Sequence, residues 1–201
     1  MRNLAFIILI LISTQVLAQG NWNFGVYIAP SWKINSSRQI QTGLRTNQSG
    51  YGFSTGLAVK KELNDFTSFN TGILYNYAAF DVFSNGLLIS SFRISSLDLP
   101  LLFNTNLKGS WNAMYGAGGV YNMRVRNLDV YLGSDFSNVT NNIQPYLGLG
   151  INTKIERVDN HILTGLLAKY QLLDIWNKNY VAFQNFNSHL ISLDFFFTYY
   201  F

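Results

Sequence analysis

Large apolar residues alternate with smaller or polar ones along much of this chain, and the alternation is clearest in the segment 191–201. One set of alternate positions there is uniformly apolar, whereas the other is mixed and includes Asp194. Successive side chains of a β-strand point to opposite faces, so the pattern predicts a strand with one apolar and one wetter face. A soluble protein rarely exposes so many aromatic rings at a fraying chain end, but a strand in a bilayer can. The apolar positions are Ile191, Leu193, Phe195, Phe197, Tyr199 and Phe201.

The same period-two pattern recurs along the chain and predicts eight strands. In each of them one face carries Val, Ile, Leu, Phe, Tyr or Trp, and the other is rich in Gly, Ser, Asn and Ala. The predicted strands cover residues 22–32, 51–60, about 66–80, about 88–104, 111–125, 143–155, about 161–173 and 191–201.

Two of these strands are ambiguous. In strand four the leucines at 97, 99 and 101 share a face while Phe92 and Ile94 fall on the other, and a β-bulge near Ser95–Ser96 would bring the two sets into phase. In strand seven either of two sets can form the apolar face: Ile162, Leu166 and Tyr170, or Leu163, Leu167 and Leu173.

The predicted connections alternate in length. Outer-membrane barrels have an even number of antiparallel strands, with short periplasmic turns and longer extracellular loops. Eight strands then place both chain ends on the periplasmic side, so the sequence predicts an all-β, eight-stranded, antiparallel up-and-down transmembrane β-barrel. The brief connections are 61–65, 105–110 and 156–160, and the others, mostly longer and polar, are 33–50, 81–87, 126–142 and 174–187.

The first 18 residues differ from the rest. Arg2 precedes an uninterrupted apolar run from Leu4 to Ile12, and a more polar stretch ends at Ala18. This is the pattern of a secretory signal peptide cleaved between Ala18 and Gln19. The apolar run is shorter than the ~20 residues of a membrane-spanning helix. We therefore expect a signal peptide at 1–18 and one barrel domain at 19–201, without disulfides because the chain has no cysteine.

Composition supports a membrane location. Charged residues make up 12% of the chain, about half the usual ~25% of soluble proteins, and aromatic residues make up 16%. No stretch after the signal peptide has the length of a membrane helix. Backbone groups in lipid must be hydrogen-bonded internally, so a closed β-barrel in the bacterial outer membrane is the remaining membrane-compatible structure.

A barrel of eight strands is just wide enough for its side chains to fill it, which disfavours a wide aqueous pore. Five charged residues fall on the predicted inward faces and are expected to pair across the lumen, since an unpaired interior charge is costly. Structural filling is one interpretation of them and a narrow polar conduit is the other. They are Lys60, Asp98, Arg124, Lys154 and Asp194.

Two other classes of barrel share features with this sequence. Gly20-Asn21-Trp22 matches the G-x-W that opens soluble lipocalin barrels, but the polar faces here lack the Lys and Glu of a soluble exterior. Outer-membrane lipid-modifying enzymes need a base with partners. His161 falls in a predicted periplasmic turn, and Ser188 and His189, as neighbours on a strand, face opposite ways. No catalytic, cofactor, metal or nucleic-acid motif is present, so a non-catalytic protein is expected.

Basic residues in the first predicted long loop suggest one ligand. Lys33, Arg38 and Arg45 carry the charge to contact lipopolysaccharide phosphates, and a solvated loop is the alternative interpretation. The expected partners are therefore outer-membrane lipid and lipopolysaccharide.

Several motifs carry a family resemblance. They are the Phe24–Val26 opening strand, the Leu-Pro-Leu-Leu run in 96–102, the Gly-rich strands at 115–119 and 146–150, and the aromatic C-terminus. With these the chain resembles the PorT-like outer-membrane β-barrel family of Bacteroidetes bacteria. The resemblance implies the fold and the location, and it links named members to gliding and type IX secretion. It supplies no catalytic residues. C-terminal aromatics of this kind also resemble the signal read by the barrel-assembly machinery, which makes Phe201 and Tyr199 candidate assembly residues.

The sequence thus predicts a structural or interaction protein that acts through its loops or as a subunit of an envelope complex. The alternatives are a component of secretion or assembly machinery, a lipid-modifying enzyme and a soluble lipocalin-like barrel.

Overall fold

The protein is described by a computed structural model that covers residues 22–39, 45–84, 87–107, 109–127, 141–156, 161–174 and 186–201. Within these ranges no helix is long and apolar enough to cross a membrane. The described residues form eight strands: β1 (Trp22–Gln39), β2 (Arg45–Asn64), β3 (Thr67–Ser84), β4 (Leu87–Asn106), β5 (Trp111–Asn127), β6 (Ile143–Glu156), β7 (His161–Gln171) and β8 (Phe186–Tyr200).

The strands close into an antiparallel barrel in which each pairs with its neighbours in sequence and β8 returns to β1. In the closing seam Gly25 lies opposite Tyr200, and the Phe201 N–H donates to the Phe24 carbonyl oxygen at 2.9 Å. The predicted fold is therefore confirmed. The first residues of β1 and the last residues of β8 lie at the same end of the barrel as the short turns.

Two of the predicted long loops are wrong. The β1–β2 hairpin stays paired up to Arg38 opposite Arg45, and the β3–β4 hairpin up to Ser84 opposite Leu87. Most of 33–50 and 81–87 is therefore strand. In the first segment backbone pairing continues through Ser-, Asn- and Gln-rich sequence after the apolar alternation has stopped, and in the second it continues past Asp81. The segments 128–142 and 172–185, which join β5 to β6 and β7 to β8, lie largely outside the described residues.

The barrel wall is uneven at this loop end. Strands β1–β5 contain 17 to 20 residues each, whereas β6, β7 and β8 contain 14, 11 and 15. The β5–β6 pairing stops at Tyr121 opposite Ile143, although β4–β5 continues to Phe92 opposite Asn127. The wall is thus lowest along β6 and β7.

The alternation along each strand places a mixed polar and apolar face in the lumen and an apolar face on the outer wall, where a soluble protein would be polar. In β8 the small or polar Ser192, Asp194 and Thr198 are buried in the lumen, while Phe195 and Phe197 are 45% exposed on the outer wall. In β7 Leu163 and Leu167 point inward and Leu166 and Tyr170 outward, which settles the phase of this strand.

The expected bulge lies at the predicted level but on the other strand. Burial alternates without a break along β4, so Phe92 and Ile94 do face the lumen. The β4–β5 register shifts between Ser95 and Ser96, which oppose Arg124 and Asn122, and Met123 is the extra residue on β5. A bulge changes which face the following residues occupy. Arg124 is therefore exposed on the outer wall, and its prediction as a lumen charge is wrong.

The lower half of the lumen, towards the short turns, is filled by an apolar plug of buried side chains. Tyr27 stacks on Phe196 with ring centroids 5.8 Å apart, at the centre of this plug. Above it, towards the loop end, the interior becomes polar. The plug consists of Tyr27, Ala29, Ala58, Leu74, Leu102, Met114, Leu163, Leu167, Phe196 and Tyr200.

Gly118 is required by a close approach inside the barrel. A methyl group on Gly118 would overlap the ring of Tyr146, which is 1% exposed, whereas a methyl group on the next residue, Gly119, would meet nothing within 4 Å. Absence of a side chain at position 118 therefore lets the tyrosine cross the lumen.

We expect Gly118→Ala to lower the free energy of unfolding by about 1–3 kcal/mol, the usual effect of overpacking a filled core. Gly119→Ala is the matched control and should change it by less than about 0.5 kcal/mol. Urea unfolding of the refolded barrel in detergent micelles measures both, and equal effects of the two substitutions would contradict this account.

Candidate functional site

Four charged side chains meet at mid-height in the lumen, and we call them the charge cluster: Lys33, Lys169, Asp98 and Asp194. Both carboxylates are completely buried, and both lysines are 5–6% exposed. The Lys169 Nζ lies 2.7 Å from Asp98 Oδ2 and 2.9 Å from Asp194 Oδ2, so it bridges β4 and β8 from β7. Two positive and two negative charges make the cluster neutral.

Lys33 enters the cluster from β1 through a hydroxyl group. Its Nζ donates to Ser192 Oγ at 2.7 Å and lies 3.8 Å from Asp194 Oδ1. Ser192 Oγ in turn donates a short hydrogen bond to Asp194 Oδ1. Asp194 is thus held by Lys169 on one oxygen and by the serine on the other.

Tyr146 on β6 completes the set. Its hydroxyl donates to Asp98 Oδ1 at 2.9 Å, and the Lys169 Nζ lies 5.3 Å from its ring centroid, within reach of a cation–π interaction. The ring fits there because of Gly118 opposite. Strands β1, β4, β6, β7 and β8 therefore all contribute to one network across the lumen.

The charge cluster and the apolar plug together block the barrel. A cavity of about 40 Å³ remains above the cluster, beside Lys33 and Gln144, and one of about 30 Å³ remains within the plug. Each is roughly the size of one water molecule's share of liquid volume, ~30 Å³. Removing one member of such a network is expensive, because it leaves a buried charge uncompensated. The arrangement is that of a structural seal rather than an open pore.

Below the plug, the turn end of the barrel opens into a polar vestibule of about 820 Å³. Lys60 points into it and forms an ion pair with Glu62 at 2.5 Å. Lys154 is half-buried at its wall, and Asn152 links Asn112 and Asn104 through amide hydrogen bonds of 2.9 Å. The vestibule therefore combines both signs of charge with amide groups.

The two histidines lie at opposite ends of the barrel. His161 stacks on Tyr200 at the turn end, with ring centroids 4.9 Å apart. At the loop end His189 stacks on Tyr170 at 5.6 Å, and its Nε2 is 3.7 Å from Asp174 Oδ1. The described residues thus pair His189 with an acid, as a catalytic site would require. The stacked tyrosine contributes its ring face, and the side chain of Ser188 lies outside the described residues.

The predicted site residues are distributed as follows. Lys60, Asp98 and Asp194 point into the lumen, but only the two aspartates belong to one cluster. Arg124, as shown above, lies outside. Lys33, predicted to contact lipopolysaccharide from a loop, is buried in the lumen instead, because β1 continues past Trp32.

The remaining predicted residues lie near the ends of the described ranges or outside them. Arg38 and Arg45 lie opposite each other near the β1–β2 hairpin end, but their side chains lie outside the described set. Tyr199 and Phe201 are exposed on the outer wall at 43% and 66%. Ala18 and Gln19, with the proposed cleavage site, lie outside the described residues.

Sequence reasoning missed Lys33 and Lys169 as lumen residues, although a signal for both was present. Extending the alternation of β1 past Trp32 puts Lys33 on the face of Ser31. Assigning Leu167 inward puts Lys169 inward as well. Within the described ranges, no group of three or more His, Asp or Glu residues is placed to hold a metal ion.

No protein-family model and no curated protein matches this sequence. Among solved structures, the chain is similar to Neisserial surface protein A (NspA), at 16% identity and a TM-score of 0.42, over 86% of this chain and 95% of that one. It is also similar to the translocator domain of the autotransporter NalP from Neisseria meningitidis, at 9% identity and a TM-score of 0.37, over 86% of this chain and 88% of that one. Likeness at this level extends to the fold alone.

We expect Lys169→Met to lower the free energy of unfolding by about 3–5 kcal/mol, because two buried carboxylates then share one lysine. The double variant Lys169→Met/Asp98→Asn restores neutrality with Lys33 and Asp194 and keeps an acceptor for Tyr146. It should recover most of the loss. Urea titration in micelles measures both variants, and a single variant within about 1 kcal/mol of wild type would show that the charge cluster is not a stabilising network.

Proposed function

We propose that this protein is a sealed β-barrel of the bacterial outer membrane with a non-catalytic, structural or interaction role. One observation supports the proposal above all others: the outer wall carries a continuous belt of exposed apolar side chains around the barrel. Exposing so much apolar surface to water is unfavourable, and lipid that covers the belt would remove this surface from water. The belt residues include Val26, Ile28, Trp32, Phe53, Leu57, Ile73, Leu99, Leu101, Tyr115, Leu147, Leu149, Ile151, Leu166, Leu193, Phe195 and Phe197.

The belt also has the height of a membrane. On β1 the exposed apolar residues run from Val26 to Ile34, which matches the roughly 9–11 residues of a tilted transmembrane strand. Aromatic rings lie near both edges: Trp22 and Trp111 near the turn end, and Trp32 opposite Tyr51 nearer the loop end. Such girdles are typical of barrels at the two membrane interfaces.

The lengths of the connections support one orientation. Short turns normally face the periplasm, so the vestibule and both described chain ends would face that side. The loop end, where β1–β5 extend past the belt, would then face the exterior. A soluble lipocalin-like barrel keeps its apolar face inside and a polar face outside, whereas the outer wall here carries the apolar belt.

A barrel sealed by the charge cluster and the plug is suited to presenting surfaces rather than to passing solutes. Its projecting β1–β4 wall and its vestibule offer such surfaces to partners on the two sides of the membrane. The PorT-like resemblance makes secretion machinery a candidate partner, and co-purification with envelope proteins after crosslinking tests it.

Lipid modification is a second candidate, favoured by the His189–Asp174 contact at the outer rim. If His189 acts as a general base, the variant His189→Ala should lose the activity. Incubation of the refolded protein and this variant with radiolabelled lipopolysaccharide tests for acyl release. Release of acyl groups by the wild-type protein but not by this variant would overturn the non-catalytic proposal.

The membrane location predicts the behaviour of the purified protein. We expect it in the outer-membrane fraction, and we expect unheated gel samples to migrate differently from boiled ones, because a closed barrel resists detergent unfolding. A soluble protein whose migration is unchanged by boiling would refute the proposal.

The matched pair Leu149→Arg and Leu107→Arg sharpens this test. Leu149 is 69% exposed in the middle of β6, and Leu107 is 52% exposed in the β4–β5 turn. Arginine at the bilayer midplane costs about 2–4 kcal/mol, against about 0–1 kcal/mol near the interface. Only Leu149→Arg should therefore destabilise the barrel in vesicles.

We also propose that Phe201 and Tyr199 guide assembly. Phe201 closes the seam through its backbone bond to Phe24. Deleting Phe201 should reduce the membrane level of the protein several-fold while Leu107→Arg leaves it unchanged. Quantitative immunoblotting of membrane fractions measures this, and a normal level of the deletion variant counts against an assembly role.

A further inference from the structure

Three arginines lie together on the outer wall above the belt, and we call them the arginine patch: Arg93 on β4 and Arg124 and Arg126 on β5. Arg93 and Arg126 are directly opposite each other, and Arg124 opposes Ser95 on the adjacent outward rung of the same strand pair. Arg124 and Arg126 are exposed and Arg93 is 24% exposed along its side chain.

The β-bulge at Met123 creates this patch. With uninterrupted alternation after Tyr121, both Arg124 and Arg126 would point into the lumen and Val125 would point out. The extra residue reverses this, so Val125 is completely buried and both arginines are outside. Bulges that re-aim side chains commonly lie beside functional sites.

The patch has an excess of positive charge. Like charges directly opposite each other on neighbouring strands are destabilising, so the Arg93–Arg126 pair is unfavourable by itself. Asp81 provides one carboxylate, 3.9 Å from Arg93 Nη1, and it also accepts a 2.7 Å hydrogen bond from Ser91. Within the described part of the chain, Arg124 and Arg126 have no carboxylate partner. An anion from outside the protein would relieve the repulsion.

The height of the patch indicates where that anion comes from. Leu101 and Leu99 lie on successive outward rungs of β4, followed by Leu97 opposite Tyr121, then Ser95 opposite Arg124, and finally Arg93 opposite Arg126. Each rung adds about 7 Å along the strand. The surface thus changes from apolar to aromatic to hydroxyl to guanidinium over a short distance. This is the sequence of environments from acyl chains to lipid headgroups.

We propose that the arginine patch binds the phosphate groups of lipid A in the outer leaflet of the membrane. The inference rests on the proposed membrane location and on the orientation with the loop end outside. A guanidinium group offers paired N–H donors that match phosphate oxygens, and three of them can hold a doubly charged headgroup at the bilayer surface. Of the loop contacts that the sequence suggested, Lys33 is buried in the lumen, and the side chains of Arg38 and Arg45 lie outside the described residues.

The test uses the full barrel refolded into phosphatidylcholine nanodiscs that contain a few per cent of lipid A. Lipid A retained per barrel after detergent extraction is counted by native mass spectrometry. The probes are diphosphorylated lipid A and its dephosphorylated form. The variants are Arg93→Gln/Arg124→Gln/Arg126→Gln and, as the control, Lys61→Gln, which removes an outward-facing cation stacked over Trp22 at the opposite, turn end of the barrel.

We expect wild type and the Lys61→Gln control to retain diphosphorylated lipid A, and the triple variant to bind it at least about tenfold more weakly. Dephosphorylated lipid A should be lost from all three. Equal retention by the triple variant, equal retention of the dephosphorylated probe, or loss in the control alone would each overturn the proposal. A gel shift on heating, measured in pure phosphatidylcholine, reports insertion separately, so failure of the membrane proposal is distinguishable from failure of the lipid A site.

Discussion

The closing seam between β1 and β8 is the constraint on which the rest of the structure depends. Once these strands pair, backbone donors and acceptors around the wall are used within the barrel. Only then can the outer wall be apolar without exposing unpaired backbone groups to lipid. Closure also confines the charged side chains to a narrow lumen, where a balanced set such as the charge cluster can be buried.

Closure has a second effect, because it fixes which alternate residues of every strand point into the lumen. A residue that falls on the inward face must either enter the lumen or be turned outward by a bulge. Met123 shows how this is solved on β5: one inserted residue keeps two arginines out of a lumen whose charges are already balanced. The same local irregularity therefore creates the external arginine patch and keeps two further positive charges out of the lumen.

Much of the fold could be predicted from the sequence, because period-two alternation is a local signal. It located eight strands and the inward Asp98 and Asp194 correctly. It did not reveal how far β1 extends, since the outer end of this strand is polar on both faces and alternation vanishes there. Nor could it show that Lys169 contacts both aspartates, because partners across a lumen depend on the stagger of strands far apart in sequence. The error at Arg124 has the same origin, because a bulge is a property of two paired strands and leaves little trace in either one.

The unequal strand heights give the barrel a high side and a low side. A cylinder with a level rim presents the same profile to neighbours on all sides, but this wall is lowest along β6 and β7 and rises towards β1–β4. The segments that join β5 to β6 and β7 to β8 meet this low side at Ile143 and Gln171. A neighbouring membrane protein or a large surface polymer would therefore meet a distinct front and back. Any assembly in which this barrel takes part would therefore hold it in one rotational orientation about the barrel axis.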